Sequence, residues 1–221
     1  MASPENAAFG DHVVKLTTTL AVSDSSAPGN PGTNTDLDFG ATATLFQPPG
    51  CPPMLAAFQK SGHLFIYNRN NIGAGPMHTM QISQSTNHGT NVGLPAYDPK
   101  LNQLYIAAPT DSPTGFNNAG LLGLAISGAP ACAVSRQWQQ PKAGINRIDG
   151  NPAIPPIVAN GVVYYADGVG SHVYALDAAT GQIRWSTSKI QGGIFASPMV
   201  VNGQLYIAGG GSDHTLRAFG L

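Results

Sequence analysis

Apolar residues along this chain come in short alternating runs, and each run stops at a turn signal. The clearest stretch spans 152–188. Residues 153–159 read as an inner strand. Asn160-Gly161 reads as a two-residue hairpin turn, because both residue types tolerate positive φ. Residues 162–166 follow as a second strand, 172–176 as a third and 182–186 as a fourth. The next copy repeats the order with 196–201, the turn Asn202-Gly203, 204–208 and 215–219, without a fourth strand. Upstream, the runs 41–46, 54–59, 64–68 and 77–82 give four strands, and 93–97, 103–107, 120–126 and 134–139 give four more. Only 12–16 and 20–25 precede them. No stretch carries the 3.6-residue period of an amphipathic helix.

One phrase recurs within this rhythm. Leu104-Tyr105-Ile106-Ala107-Ala108 returns as Val163-Tyr164-Tyr165-Ala166-Asp167 and as Leu205-Tyr206-Ile207-Ala208-Gly209, with a weaker copy at 54–58. The three tyrosines Tyr105, Tyr164 and Tyr206 stand 59 and 42 residues apart. Four-stranded propeller blades repeat at about 40–50 residues. The expectation is an all-β, single-domain β-propeller of four-stranded antiparallel blades, a partial ring of about four to five. It divides into a half blade at 11–26, blades at 37–83, 92–140 and 148–188, and an incomplete blade at 193–220. A β-sandwich with regular strand spacing is the alternative.

Composition narrows the function. Charged residues make up 10% of the 221 residues and the net charge is −1, against about 25% charged in ordinary globular chains. No run of Lys or Arg exists to displace counterions from a nucleic acid or to hold an anionic membrane surface. No apolar run reaches the roughly 18 residues of a spanning helix. The start, Met1-Ala-Ser-Pro-Glu-Asn6, has neither a basic nor an apolar signal region, so no signal peptide is expected in this chain. The two cysteines, Cys51 and Cys132, form no CxxC or Cys/His cluster, which leaves a zinc site without ligands. Both fall in loops on the same side of neighbouring blades, and a disulfide between them is left open. The six histidines show no metal-ligand spacing and are expected at turns and on the surface.

Ala175-Leu-Asp177-Ala-Ala-Thr180-Gly181-Gln-Ile-Arg-Trp185 has the form A-x-D-x-x-T-G-x-x-x-W. It resembles the tryptophan-docking motif of the quinoprotein propeller repeats found in pyrroloquinoline quinone (PQQ) dehydrogenases. Asp177 and Thr180 can bond the turn backbone, Gly181 admits a left-handed turn, and Trp185 is expected to lie buried between blades. Ala125 with Trp138 keeps the motif in part. The repeat also occurs in scaffolds without catalysis, so it speaks for fold more than for activity.

A second stretch, Asp38-Phe-Gly-Ala with Lys60-Ser-Gly62-His-Leu-Phe-Ile-Tyr67-Asn68-Arg69, is similar to one blade of PQQ-dependent alcohol dehydrogenases. The resemblance implies a catalytic base at Asp38 and a quinone-contacting cation at Lys60. The family's Trp before the Asp is Leu37 here, and its Asp-Arg is Asn68-Arg69. The family's calcium ligands lie in blades upstream of the matching region, which corresponds to the C-terminal half of such a propeller. Each residue also has a plain role: Asp38 at a strand entry, and Lys60 at a hairpin turn.

Two functions follow as expectations. The first is a non-catalytic PQQ-like scaffold or binding module, with no cofactor in the isolated chain and with self-association or missing upstream blades as partners. The second is a C-terminal piece of a quinoprotein alcohol dehydrogenase, which would carry PQQ and calcium when complete. An exported quinoprotein would place the chain in the periplasm or outside the cell.

Overall fold

The computed structural model describes residues 9–29, 37–84, 91–141, 153–168, 170–210 and 214–220. Five antiparallel sheets follow one another along the described chain. Strands β1 (Val13–Leu16) and β2 (Val22–Ser26) form a two-stranded sheet. Four-stranded sheets then come from β3 (Thr44–Phe46), β4 (Met54–Phe58), β5 (His63–Asn68) and β6 (His78–Gln81); from β7 (Ala96–Asp98), β8 (Gln103–Ala108), β9 (Gly120–Ile126) and β10 (Val134–Pro141); and from β11 (Ile157–Ala159), β12 (Val162–Asp167), β13 (His172–Asp177) and β14 (Ile183–Ser186). The last sheet holds β15 (Met199–Val201), β16 (Gln204–Ala208) and β17 (Leu216–Gly220). The regular helical structure among the described residues is one 3-10 turn, Ile72–Ala74. The all-β expectation and its strand order are therefore met.

Local chemistry sets the registers. Asn160 and Gly161 take φ of 51° and 76°, and Asn202 and Gly203 take 49° and 72°, the pair of positive values that a type I′ hairpin requires. Tyr105, Tyr164 and Tyr206 then occupy the same rung of their sheets, opposite Ala96, Ile157 and Met199. The second strands β4 and β8 are buried along their whole length, because neighbouring sheets cover both faces. One core cluster runs from Phe46 through Tyr105, Trp138 and Tyr165 to Ile207.

The first strands β3, β7 and β11 lie against their neighbours in series, so the blades fan outwards from them. Side chains brace this narrow side: the Thr44 hydroxyl donates to the Pro95 carbonyl at 2.5 Å, and the Ser197 hydroxyl to that of Pro155 at 3.1 Å. Cys51 and Cys132 are joined by a disulfide with a Cα–Cα separation of 5.9 Å. It ties the β3–β4 loop to the β9–β10 loop of the next blade.

The ring is not closed by its described ends, since β2 pairs with β1 and β17 pairs with β16. At one end the β1–β2 hairpin rests on the β3–β6 sheet. The Asp24 carboxylate accepts the backbone N–H groups of Ile72 at 2.7 Å and Gly73 at 2.9 Å. Val13 packs on a small cluster of Leu55, Ala57, Phe65, Tyr67 and Ile72. At the other end Leu205 and Ile207 point into the core, while Met199, Val201 and Leu216 are exposed.

Candidate functional site

The structure brings Asp38 and Lys60 together. The Lys60 ammonium lies 2.7 Å from Asp38 Oδ1. The Lys60 backbone N–H donates to the Asp38 carbonyl at 3.1 Å, and the Asn91 amide donates to the Lys60 carbonyl at 2.9 Å. Lys60 is largely buried and Asp38 is half exposed, so the carboxylate presents its outer side to solvent. Leu37, standing where the resembling family has Trp, is buried at the strand entry, and Phe39 meets Phe65 edge to face. The resemblance named this pair from residues 22 positions apart, and the β3–β4 hairpin is what closes that separation.

A polar network lies beside the pair. The Ser61 hydroxyl donates to Gln59 Oε1 at 2.6 Å and lies 3.1 Å from His63 Nδ1. Burial holds the His63 imidazole below its ordinary pKa, with a hydrogen bond to the Ser61 backbone working in the opposite direction. PQQ and calcium are the groups that the resemblance implies. Among the described residues no group of three or more His, Cys, Asp or Glu converges on one point. The donor set here is one carboxylate and one ammonium: contacts for one edge of a polar ligand, without a cation cage. The described residues do not fit a calcium–quinone site, and no chemistry is routed through one.

The Asp177–Gly181 turn lies at the junction with the preceding blade, and Trp185, expected to be buried, is 39% exposed. The turn forms as the residue types suggest. Thr180 donates to Asp177 Oδ1 from both its backbone and its hydroxyl, each at 2.9 Å. Gly181 has φ of 73°, and its N–H donates to the Asp177 carbonyl at 2.8 Å. Arg184 forms an ion pair with Asp177. The two Thr180 hydrogen bonds, then Arg184, hold the Asp177 carboxyl below its ordinary pKa.

The ring seated on this turn is Trp138 of the preceding blade. Its Nε1–H donates to the Ala178 carbonyl at 2.9 Å. A Cβ at Gly181 would come within 2.5 Å of the ring, and one at Gly123 within 2.3 Å. Trp138 is 8% exposed and Trp185 is 39% exposed. Trp185 meets Phe219 of β17 edge to face at 5.3 Å. In the last sheet, the rung of Ala175 is held by Ala218 and that of Asp177 by Gly220, so no Asp-x-x-Thr-Gly turn caps the Trp185 ring among the described residues. The signal for Trp138 was Gly123, a lone glycine inside an apolar strand, which marks close approach of a neighbour.

Buried tyrosines share the core with Trp138. Burial raises the pKa of Tyr105, with Asp98 and Asp177 adding to the effect. Tyr174 is pushed up to about 12 by burial and by Asp167. Both are packing groups with protons held in place. No helix among the described residues is long and apolar enough to cross a membrane.

Comparison with known proteins bears on the fold. Residues 133–220 match the PQQ_2 family, described as "Outer membrane protein assembly factor BamB". No curated protein sequence matches the chain. BamB from Moraxella catarrhalis superposes with a TM-score of 0.63 at 13% identity, over 96% of this chain and 54% of that one. A europium-containing methanol dehydrogenase gives 0.57 at 14% identity, over 95% of this chain and 44% of its own. Sqt1 of Saccharomyces cerevisiae gives 0.56 at 13%, over 84% and 46%. The chain spans about half the length of the solved structures it matches. Taken with the tyrosine-centred repeat, these likenesses identify the fold of the chain as a β-propeller, with the PQQ_2 repeat matched over residues 133–220.

Proposed function

We propose that the chain is a non-catalytic binding module, a scaffold whose uncovered blade faces receive a protein partner. The supporting observation is the outer face of the last sheet. Met199 is 55% exposed, Val201 42% and Leu216 72%, and they lie on one face of the sheet, Met199 and Val201 on β15 and Leu216 on β17, with Tyr206 and Ala208 of β16 between them. Tyr105 and Tyr164, which hold the corresponding rung in inner blades, are buried, and Tyr206 on this face is not. Contiguous exposed apolar side chains of this kind mark interaction surfaces. The occupants that fit are a second copy of the chain or further propeller blades. The family description of BamB as an assembly factor is in keeping with protein partners. The disulfide suits an oxidising compartment, hence the periplasm or the exterior. No PQQ or calcium requirement is expected of the isolated chain.

Light scattering over a concentration series tests this. The expected result is a mass that rises above the 22.8 kDa of one chain as concentration increases, and that stays at one chain in Leu216→Glu. A compact monomer at every concentration overturns the proposal.

The Asp38–Lys60 contact at 2.7 Å favours a second function, a piece of a quinoprotein alcohol dehydrogenase. On that reading this chain would supply a carboxylate and a cation side by side, and the rest of the site would come from outside the described residues. Dye-linked alcohol oxidation with added PQQ and Ca²⁺, abolished by Asp38→Asn and by Lys60→Ala, would establish it. Absence of PQQ-dependent turnover in the chain as it stands is the expected outcome.

A further inference from the structure

The β7–β10 sheet carries one residue that its sister sheets lack. Asp98 ends β7, opposite Gln103 of β8. On the same rung β3 has Phe46, β11 has Ala159 and β15 has Val201. A carboxylate thus stands where three sister sheets place apolar side chains, and it is 5% exposed. A buried charge is costly unless its oxygens are paired. Asp98 pairs one of them. Its Oδ1 accepts the backbone N–H groups of Lys100 at 2.8 Å and Leu101 at 3.4 Å, which caps the turn into β8. Among the described residues Oδ2 has no hydrogen-bond or ion-pair partner. Turn capping accounts for the first oxygen and leaves the second unexplained.

Asp98 lines a pocket of about 140 Å³ between the β7–β8 turn and the β11–β12 turn of the next sheet. Lys100 and Asn160 share the lining, and Pro99, Val158 and Ala159 give it an apolar wall. Both turns are fixed by their own bonds. Asn102, at φ 52°, accepts the Tyr97 hydroxyl at 3.1 Å. Across the pocket, the Gly161 carbonyl accepts the Ala178 N–H at 2.9 Å. The walls are therefore formed before any ligand arrives, which lowers the entropy cost of binding. They belong to two sheets in the middle of the described chain. A water occupies about 30 Å³ of the liquid, so the space matches roughly four or five waters. Among the described residues the Lys100 ammonium makes no ion pair with Asp98 or with any other acid.

We infer that this pocket binds a small α-amino acid as its zwitterion, the ligand ammonium on Asp98 and the ligand carboxylate toward Lys100. A simple cation would meet the charge of Lys100, and a simple anion that of Asp98. A ligand carrying both charges on neighbouring atoms meets each with its opposite. Hydrogen bonds between charged groups are roughly twice as strong as neutral ones, and an ammonium supplies the donor that the buried Oδ2 lacks. The Asn160 amide offers both a donor and an acceptor to the ligand. Pro99, Val158 and Ala159 face the ligand side chain, and the volume suits glycine or alanine. This small-molecule site is separate from the last-sheet surface and does not depend on it.

The test is an NMR titration of the full chain with glycine, alanine, acetate and methylammonium. Glycine and alanine are expected to shift the amide signals of Lys100, Leu101, Asn160 and Gly161 to saturation. Acetate and methylammonium, each with one of the two charges, should bind roughly tenfold more weakly or worse. Asp98→Asn keeps an oxygen for the Lys100 and Leu101 N–H groups and removes the charge. It should retain the fold and weaken alanine binding roughly tenfold or more. Lys100→Ala, at an exposed position, should also weaken alanine binding and strengthen that of methylammonium, a change of preference that a misfolded variant would not give. The inference is overturned by any of three results: no saturable binding of glycine or alanine, acetate or methylammonium binding as tightly as alanine, or alanine binding untouched by either substitution.

Discussion

Two tryptophans of the same repeat position have opposite fates, and the difference is one turn. Trp138 lies over Gly123 and Gly181 with its N–H on the Ala178 carbonyl. Trp185 has Phe219 on one side and solvent on the other. Trp138→Ala should therefore cost roughly 3–5 kcal/mol, as a large-to-small core change. Trp185→Ala should cost less than about 1.5 kcal/mol, since surface substitutions away from special features are nearly neutral. Urea unfolding of both variants checks the contrast, and equal losses would contradict it. Asp177 gives a pH signature. Its folded pKa is depressed by Thr180 and then Arg184, so it binds its proton less readily in the folded state. The stabilisation is present above its unfolded pKa of about 3.9 and is lost as pH falls through the lower, folded value. Asp177→Asn should flatten that acid limb of stability while leaving its shape above pH 5 unchanged. The sequence named Asp177, Thr180 and Gly181 in their turn roles because those roles are local. It misplaced Trp185 because burial of that ring depends on a turn in another blade, which spacing within one motif does not report.

At the scale of elements, each strand was legible because turn chemistry and alternation agree. Asn-Gly pairs take positive φ where strands reverse, and the tyrosine rung repeats in register. Strand starts were less legible. β11 begins at Ile157 and β15 at Met199, after Pro155-Pro156 and Pro198, which donate no ladder hydrogen bond. The apolar residues before them, such as Ala153 and Ile154, are buried by packing between blades, so hydrophobicity continued where pairing did not. The cysteine pairing stayed open in the sequence because it depends on how two loops of adjacent blades meet. Its effect can be scaled from its sequence separation of 81. Loop-closure entropy of that length corresponds to about 4–5 kcal/mol in the chain-entropy account. Cys51→Ser with Cys132→Ser should lower the urea midpoint to match. A change under about 1 kcal/mol would mean that packing between the two blades already restrains the unfolded chain.

At the scale of the molecule, the arc has two uncovered ends of different chemistry. One is an apolar sheet face carrying Met199, Val201 and Leu216. The other is a groove between the β1–β2 hairpin and the β3–β6 sheet, lined by Val14, Leu45 and Leu55 and by Lys15 and Arg69. A propeller avoids bare strand edges by closing its ring, and the described ends do not pair with each other. Any association that covers the last sheet links folding to concentration, because a partner that binds the folded state alone stabilises it by mass action. The unfolding midpoint of the chain should therefore rise as protein concentration rises, with Leu216→Glu removing the dependence. Lys15→Glu should leave the dependence in place, because Lys15 lies at the opposite end. The last sheet is also where the arc should yield first. Among the described residues no blade covers its outer face, and Trp185 contributes only a partial contact beneath it. Amide exchange in the monomeric Leu216→Glu variant should thus be faster over β15–β17 than over β8 and β12, whose residues are buried between blades. Uniform protection across all five sheets would show that the arc opens as one cooperative unit, and that its ends need no partner for their stability.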